Sequence, residues 1–321
     1  MKKVSVAIIG SGPAGLSAAL WAKKLGLFPF VIEKASVTGG MQNFNFLENS
    51  WVLGQQGVTG VDIAKNFYQH IQKEDIPVHV NLTMTAIKRV FGGFYLEFSD
   101  GSSKICESII LANGTRYVGQ EILESIPGFE DINRERIIEG PYSFIGMDDL
   151  RGQHIVILGA GDNGFENALM LLECGCEVSL IARSTPKAQQ KFVEKVLAHQ
   201  HFSLYEYAKI THFFINNHRM SIKIKSSTEV TVSVDRIHIL VGYRANTDSV
   251  IDIVEQGLGK KLDCHHNDFL WVDQVSKTNV PGIYAAGDIC NTHFPCVVSA
   301  IASGALAAKT ISRELLKTGV N

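Results

Sequence analysis

Two glycine-rich hexapeptides carry the clearest chemical instruction in the chain. Gly10-Ser-Gly12-Pro-Ala-Gly15 stands between an apolar run at 4–9 and a stretch of helical periodicity at 14–25. In that setting one glycine permits a tight turn, one lets backbone approach a pyrophosphate, and one lets helix and strand pack closely. The first-turn amides then meet the phosphates with the positive end of the helix dipole. Glu33, eighteen residues past Gly15, is placed to accept a hydrogen bond from a ribose hydroxyl. Gly159-Ala-Gly161-Asp-Asn-Gly164 repeats the arrangement about 150 residues later. Its strand-end position holds Arg183 rather than an acid, with Ser184 and Lys187 close by. A cation there suits a 2′-phosphate, where an acid would suit a free hydroxyl, so this half-site favours NADPH over NADH.

Each loop needs a strand, a helix and a second strand to hold it, and the hydrophobic pattern supplies both sets. Residues 4–9 and 30–33 read as strands flanking the first helix; 155–158, 165–174 and 177–181 repeat strand, helix and strand. Between them, 61–73 reads as an amphipathic helix, 86–90 and 94–99 as a hairpin across Gly92-Gly93, and 109–112 as a buried strand. The alternating stretch 211–241 predicts a further small sheet, 282–288 a strand ending in a turn, and 297–316 a long closing helix. One unit occurring twice predicts a doubly wound α/β architecture with two Rossmann-like domains.

The formal net charge is −2 and no basic run exists, so nothing draws nucleic acid or an anionic membrane. Behind Lys2-Lys3 the apolar run is six residues long, too short for a signal peptide, and no stretch reaches bilayer-spanning length. Six scattered cysteines in 321 residues are not a disulfide framework. Cytoplasmic localisation is expected. Cys264-His265-His266 lies in a polar loop without a second ligand cluster, so no metal is expected. Cys174 and Cys176 read as core.

The two loops, with Glu48-Asn49, Gly57-Val-Thr-Gly60, Ala112-Asn-Gly114, Gly242-Tyr-Arg-Ala-Asn-Thr247, Ala285-Ala-Gly-Asp288 and Ser303-Gly304, resemble the thioredoxin reductase-like class of pyridine nucleotide-disulfide oxidoreductases over nearly the whole chain. The resemblance implies FAD at the first loop, held by Gly10, Gly12, Pro13, Ala14, Gly15, Glu33, Lys34, Gly39, Gly40, Met41, Asn49, Ala112, Gly114, Gly287, Asp288, Cys296 and Val297. In that family the segment like Gly39-Gly40 lies along FAD, the residue like Asp288 meets its ribityl and phosphate portion, and the last helix points at the flavin pyrimidine. The resemblance implies NADPH, with NADH as the lesser choice, at Gly159, Gly161, Asp162, Asn163, Gly164, Glu166, Arg183, Ser184 and Lys187. It also implies a homodimer, and domains that rotate about links near 116 and 245.

One departure outweighs these matches. The family's redox Cys-x-x-Cys begins seventeen residues before the second fingerprint, where this chain has Tyr142-Ser-Phe-Ile145. Without two thiols there, electrons cannot pass to thioredoxin by the usual dithiol relay. Pro295-Cys296 also replaces the family's Arg-Gln pair before the last helix. Cys296 at a helix start, where a thiolate is favoured, could pair with Cys290, although small buried residues in a turn are the plainer reading.

The expected organisation is an FAD domain, 1–116 and 246–321, interrupted by an NAD(P)H domain, 117–245. The expected function is hydride transfer from NAD(P)H to flavin and onward to a non-thioredoxin acceptor, a small molecule or an electron-carrier protein. Alternatives are a ferredoxin or flavodoxin–NADP reductase, an FAD oxidase, and a flavin-based sensor with a relic nicotinamide domain. No side-chain acid or base is required, and the weak catalytic candidates are Tyr142, read as an aromatic lid by the flavin, and Cys296.

Overall fold

The computed structural model describes residues 5–216, 219–265, 268–290 and 292–317. The Lys2-Lys3-Val4 start and His266 lie outside them. The chain falls into two compact units, Met1–Arg116 with Arg244–Asn321, and Tyr117–Tyr243.

The first unit opens with β1 (Ser5–Ile9), α1 (Pro13–Lys24), β2 (Phe28–Ile32), α2 (Gly60–Lys73) and β3 (Val78–His79). A meander follows, β4 (Met84–Val90), β5 (Gly93–Phe98) and β6 (Ser103–Cys106), and then β7 (Ser108–Leu111). The chain leaves along β8 (Thr115–Tyr117). The second unit comprises β9 (Ile137–Glu139), β10 (His154–Leu158), α3 (Asp162–Glu173), β11 (Glu177–Ile181), α4 (Gln190–Leu197) and β12 (Phe202–Tyr205). It continues through β13 (Lys209–Asn216), β14 (Arg219–Lys225), β15 (Glu229–Val234) and β16 (Arg236–Ile239). Then β17 (Tyr243–Ala245), which pairs with β8, returns the chain to α5 (Asp248–Leu258), β18 (Ile283–Ala285) and α6 (Val297–Lys317).

Both main sheets are parallel, ordered β18-β7-β1-β2-β3 and β12-β11-β10-β16-β9. Their central strands, SVAII and HIVIL, are almost wholly buried because helices or a second sheet cover both faces of a parallel sheet. From β1, and again from β10, the chain moves to a neighbouring strand on one side and later places another on the opposite side. The crevice at that switch point, beyond the strands' carboxyl ends, is where open α/β sheets bind ligands. Each glycine loop sits there, directly after β1 and β10.

Both helices start inside their loops. Pro13 takes the first position of α1, where its missing N–H costs nothing, and α3 begins at Asp162, three residues before the periodic pattern shows it. α2 is fixed by a capping box between Thr59 and Asp62. Of the two cysteines read as core, Cys176 is buried but Cys174 is exposed, because it caps the C-terminus of α3.

Candidate functional site

Around the first loop, close approaches set the geometry. Gly10 has φ +108°, and a Cβ on it would lie 2.3 Å from the Ala112 carbonyl oxygen. A Cβ on Gly15 would lie 1.9 Å from the oxygen of Gly10. The fold itself therefore demands both outer glycines. Gly12 differs: its φ is −71°, and the nearest atom to an added Cβ is Gly40 Cα at 4.0 Å. The second loop repeats this. Cβ atoms on Gly159 and Gly164 would come within 2.2 Å of Leu240 O and 2.1 Å of Gly159 O, whereas one on Gly161 meets nothing within 4 Å. In each loop the middle glycine leaves room for a group the chain does not supply.

The first loop gathers most of its expected partners. Gly39 donates its N–H to Ser11 O at 2.9 Å, and a Cβ on Gly40 would sit 3.1 Å from Gly12 Cα. Gly287 stands against Ala14, where an added Cβ would come within 2.6 Å, and its N–H donates to Ser303 Oγ at 2.8 Å. Met41 follows on the short 3-10 turn Gly40–Phe44, Gly114 accepts from Asn246 N–H, and Val297 is buried at the start of α6. Cys296, just before it, is half-buried, its Sγ 3.4 Å from the Ser299 N–H. Two expected residues stay apart. Lys34 is exposed, and Asn49 spends its Oδ1 on the Trp51 N–H at 3.3 Å within the 45–59 segment.

Glu33, expected at a ribose, already braces the loop. Its Oε2 accepts from Ser11 N–H at 2.8 Å and Ser11 Oγ at 2.7 Å, and Oε1 accepts from Ala35 N–H at 2.7 Å. An ionised carboxylate has about four acceptor positions, so one remains for a ribose hydroxyl. α1 has no acidic residue in its first turn and no side-chain cap, leaving its leading amides to an outside anion.

Orphaned acceptors test whether FAD suits this place. Gln42 Oε1, Asn113 Oδ1 and Asp288 Oδ1 are buried with no hydrogen-bond partner. Asn113 and Asp288 directly follow Ala112 and Gly287, and Gln42 lies two residues past Gly40; Gly40, Ala112 and Gly287 are all packed on the loop. Burial alone raises the Asp288 carboxyl above its ordinary range. Buried acceptors in a native fold find a donor, and the ribityl and ribose hydroxyls of FAD are donors of the right kind. The residues present fit the group. Gln42 and Asn113 were missed because only their buried acceptor atoms mark them, and Ser11 because only its bonds to Glu33 do; no local pattern reveals either.

The second loop is served by its following segment. Lys187 N–H donates to Ala160 O at 2.9 Å, and Asp162 accepts from the Gln189 N–H at 2.8 Å and its Nε2 at 3.3 Å. These bonds fold 183–189 against the loop, with Arg183 and Lys187 exposed and Ser184 half-buried. Asn163 Nδ2 donates to the Tyr243 hydroxyl at 3.1 Å, and the Tyr243 ring lies 5.2 Å from that of Tyr117. Tyr142 is not a free lid. It is 8% exposed and lies within the second unit, its N–H on Asn167 Oδ1 at 2.7 Å and its hydroxyl donating to Glu166. Burial, then the Glu166 carboxylate, push that hydroxyl well above the usual phenol range. Glu166 is thereby committed to Tyr142, and Asn167, fully buried on α3, is the residue that sequence reading omitted.

All six cysteines are unpaired, and Cys290 is buried. Burial pushes its thiol up to about 12, with Asp288 adding to the shift.

The profile of the pyridine nucleotide-disulphide oxidoreductase family matches residues 4–304. A ferredoxin–NADP reductase of Lactococcus lactis subsp. cremoris is 25% identical over 90% of this chain and 86% of its own. A thioredoxin reductase of Buchnera aphidicola from Schizaphis graminum is 25% identical over 97% and 96%. The fold matches a Lactococcus lactis thioredoxin reductase structure with TM-score 0.81 and 23% identity, covering 98% of this chain and all of that one. A Bacillus cereus bacillithiol disulfide reductase structure matches at 0.76 and 18%, with the same coverage. Glycine loops at both switch points agree with a family profile that spans both units, and this FAD- and NADPH-using oxidoreductase belongs to the pyridine nucleotide-disulphide oxidoreductase family.

Proposed function

We propose that the chain takes hydride from NADPH and delivers electrons to an acceptor other than thioredoxin, with an electron-carrier protein such as a ferredoxin or flavodoxin as the favoured class. The carrying observation is the segment 142–145, which offers Tyr142 and Ile145 where a dithiol would stand, with Tyr142 packed against Glu166 and Asn167. The ferredoxin–NADP reductase among the relatives supports this acceptor class. FAD, when bound, supplies the hydride acceptor and the onward electron donor. The chain's part is positional. The first-turn amides of α1 and the open face of Gly12 hold the pyrophosphate, while Glu33 and Asp288 orient the sugar hydroxyls. On the other unit, Gly161 admits the nicotinamide pyrophosphate and Arg183 pairs with the 2′-phosphate. In this reading 1–116 and 246–321 are the FAD domain and 117–245 the NADPH domain.

Anaerobic mixing with NADPH, then with NADH, tests the reading. Fast bleaching of the flavin by NADPH, slower bleaching by NADH, and reoxidation by ferredoxin or flavodoxin but not by thioredoxin are the expected results. Arg183→Ala should weaken NADPH by ~1.5–3 kcal/mol, the worth of a charge-assisted hydrogen bond, and leave NADH unchanged. No bleaching by either nucleotide would overturn the proposal and favour an oxidase or sensor.

A homodimer in the cytoplasm completes the proposal. Among the described residues no helix is long and apolar enough to cross a membrane. Phe44, Phe46, Trp51 and Leu53, close in sequence, are 51%, 48%, 81% and 101% exposed, an apolar display that suits a partner surface. Sedimentation at micromolar protein decides it.

A further inference from the structure

The second unit carries a feature at the end of its sheet away from the glycine loop. Gln153 immediately precedes β10 and Arg236 begins β16, so both stand at the amino ends of the parallel strands. The five residues of β10 put roughly 17 Å between that end and Gly159. There a concavity of about 460 Å³ is lined by Arg136, Arg151, Arg219 and Arg236 with Gln153 and Asp235. Among the described lining residues, four guanidiniums face one carboxylate. Arg219 binds Asp235 at 3.2 and 3.3 Å, and Asp235 also accepts the His154 N–H at 2.9 Å. Arg236 donates from Nε to Gln153 Oε1 at 3.0 Å and from Nη1 to Glu135 O at 3.2 Å. The guanidiniums of Arg136 and Arg151 make no hydrogen bond or ion pair among the described residues.

Cations gathered in one cleft repel each other unless an anion joins them, and this chain is negative overall. We propose that the cleft is a binding site for a small molecule bearing two or more phosphate groups, separate from both dinucleotide sites. Planar guanidiniums match phosphate oxygens two at a time, and two unengaged arginines beside two partly engaged ones supply donors for more than one phosphate. The volume is that of a small-ligand site. Among the described residues no apolar or aromatic side chain lines it, so they offer nothing to stack a base or ring. Those residues equally lack the aromatic or aliphatic anchor on which protein interfaces turn. The recognised chemistry is the clustered phosphate itself, carried either by an inorganic chain or by a phosphorylated sugar.

The test uses the full-length, FAD-loaded protein with saturating NADPH, so that the second glycine loop is filled. Titration with inorganic tripolyphosphate should show one saturable site per chain with Kd below about 1 mM. Arg136→Gln and Arg151→Gln should each weaken it at least tenfold, leaving thermal unfolding and flavin bleaching by NADPH as in the parent. Arg183→Ala should leave tripolyphosphate binding untouched. Should a glutamine variant fold poorly, Arg→Lys at the same position keeps the charge, removes the fork, and should still cost several-fold. A sugar bisphosphate binding more tightly than tripolyphosphate identifies the metabolite source, and the reverse order the inorganic one; either result supports the site. The proposal is lost if no saturable binding occurs, if NADPH competes, or if both glutamine variants bind like the parent. It is also lost if an acidic protein or an oligonucleotide uses these arginines while tripolyphosphate does not.

Discussion

Gly12 and Asp288 each separate what the fold needs from what a ligand needs. A methyl on Gly12 would meet no protein atom closer than 4.0 Å, at a φ of −71° open to any residue. Gly12→Ala should therefore unfold like the parent apoprotein yet purify with much less FAD, because the methyl fills the space a pyrophosphate must enter. Flavin absorbance per chain and a thermal melt check both halves; stoichiometric FAD in a well-folded variant would remove the assignment. Asp288 makes the opposite demand. Burial raises its carboxyl above the unfolded value, so the folded apoprotein holds that proton more tightly than the unfolded chain does. The stability this contributes is full below the ordinary carboxylate range and is lost as pH rises through the raised value. Asp288→Asn never ionises. Its apoprotein should be more stable than the parent at neutral pH, because the amide spares the fold from burying a charge or holding a proton there. It should also lack the parent's decline with pH, while binding FAD more weakly. Denaturant titrations at acid and neutral pH read it directly; a parent more stable than the variant at neutral pH contradicts the account.

At the scale of elements, the first nucleotide site depends on how closely α6 crosses α1. A Cβ on Gly304 would lie 2.0 Å from Ala14 O, in the first turn of α1. Gly304→Ala must push the helices apart, so we expect a loss of ~1–3 kcal/mol in stability together with weaker FAD binding, because the displaced turn is the one that faces the pyrophosphate. A variant with parental melting and FAD content would show that the crossing yields without cost. Such crossings mark the boundary of what sequence reveals. Both glycine loops, their strands and their helices were legible because parallel strands show continuous apolar runs and the loop spacing is dictated by phosphate geometry. The hairpin of β4 and β5 was legible from alternation around Gly92-Gly93. α4 (Gln190–Leu197) and α5 (Asp248–Leu258) were not, since no glycine loop announces either of them. α5 is instead held by tertiary contact, where a Cβ on Gly257 would fall 1.9 Å from Ile87 O. The bracing of Glu33 by Ser11 and the orphaned Gln42, Asn113 and Asp288 acceptors arise from residues distant in sequence, which periodicity does not connect.

For the whole molecule the question is how electrons leave, and the thiols answer it by their surroundings. A thiolate, not a thiol, attacks a disulfide. Burial pushes Cys106 and Cys290 up to about 12 and Cys176 up to about 11, so at neutral pH these three are inert packing groups. Cys174 and Cys264 are exposed, on a helix C-terminus and in an isolated bridge to Leu270, and neither adjoins a glycine loop. Cys296 is half-buried just before α6, where its sulfur exchanges contacts with Ser299 at 3.4 and 3.5 Å and forms no disulfide with Cys290. Cys290→Ser/Cys296→Ser should therefore leave NADPH-driven flavin bleaching at the parental rate, measured anaerobically by stopped flow. Neither protein should reduce thioredoxin or a small disulfide substrate, whereas both should reduce a one-electron carrier. Dependence of disulfide turnover on these two residues would mean that Cys290 leaves its buried site during the cycle and that a substitute dithiol carries the electrons. That single outcome would return the chain to disulfide chemistry, because the only other occupants of the relay position, Tyr142 and Ile145, cannot exchange a thiol.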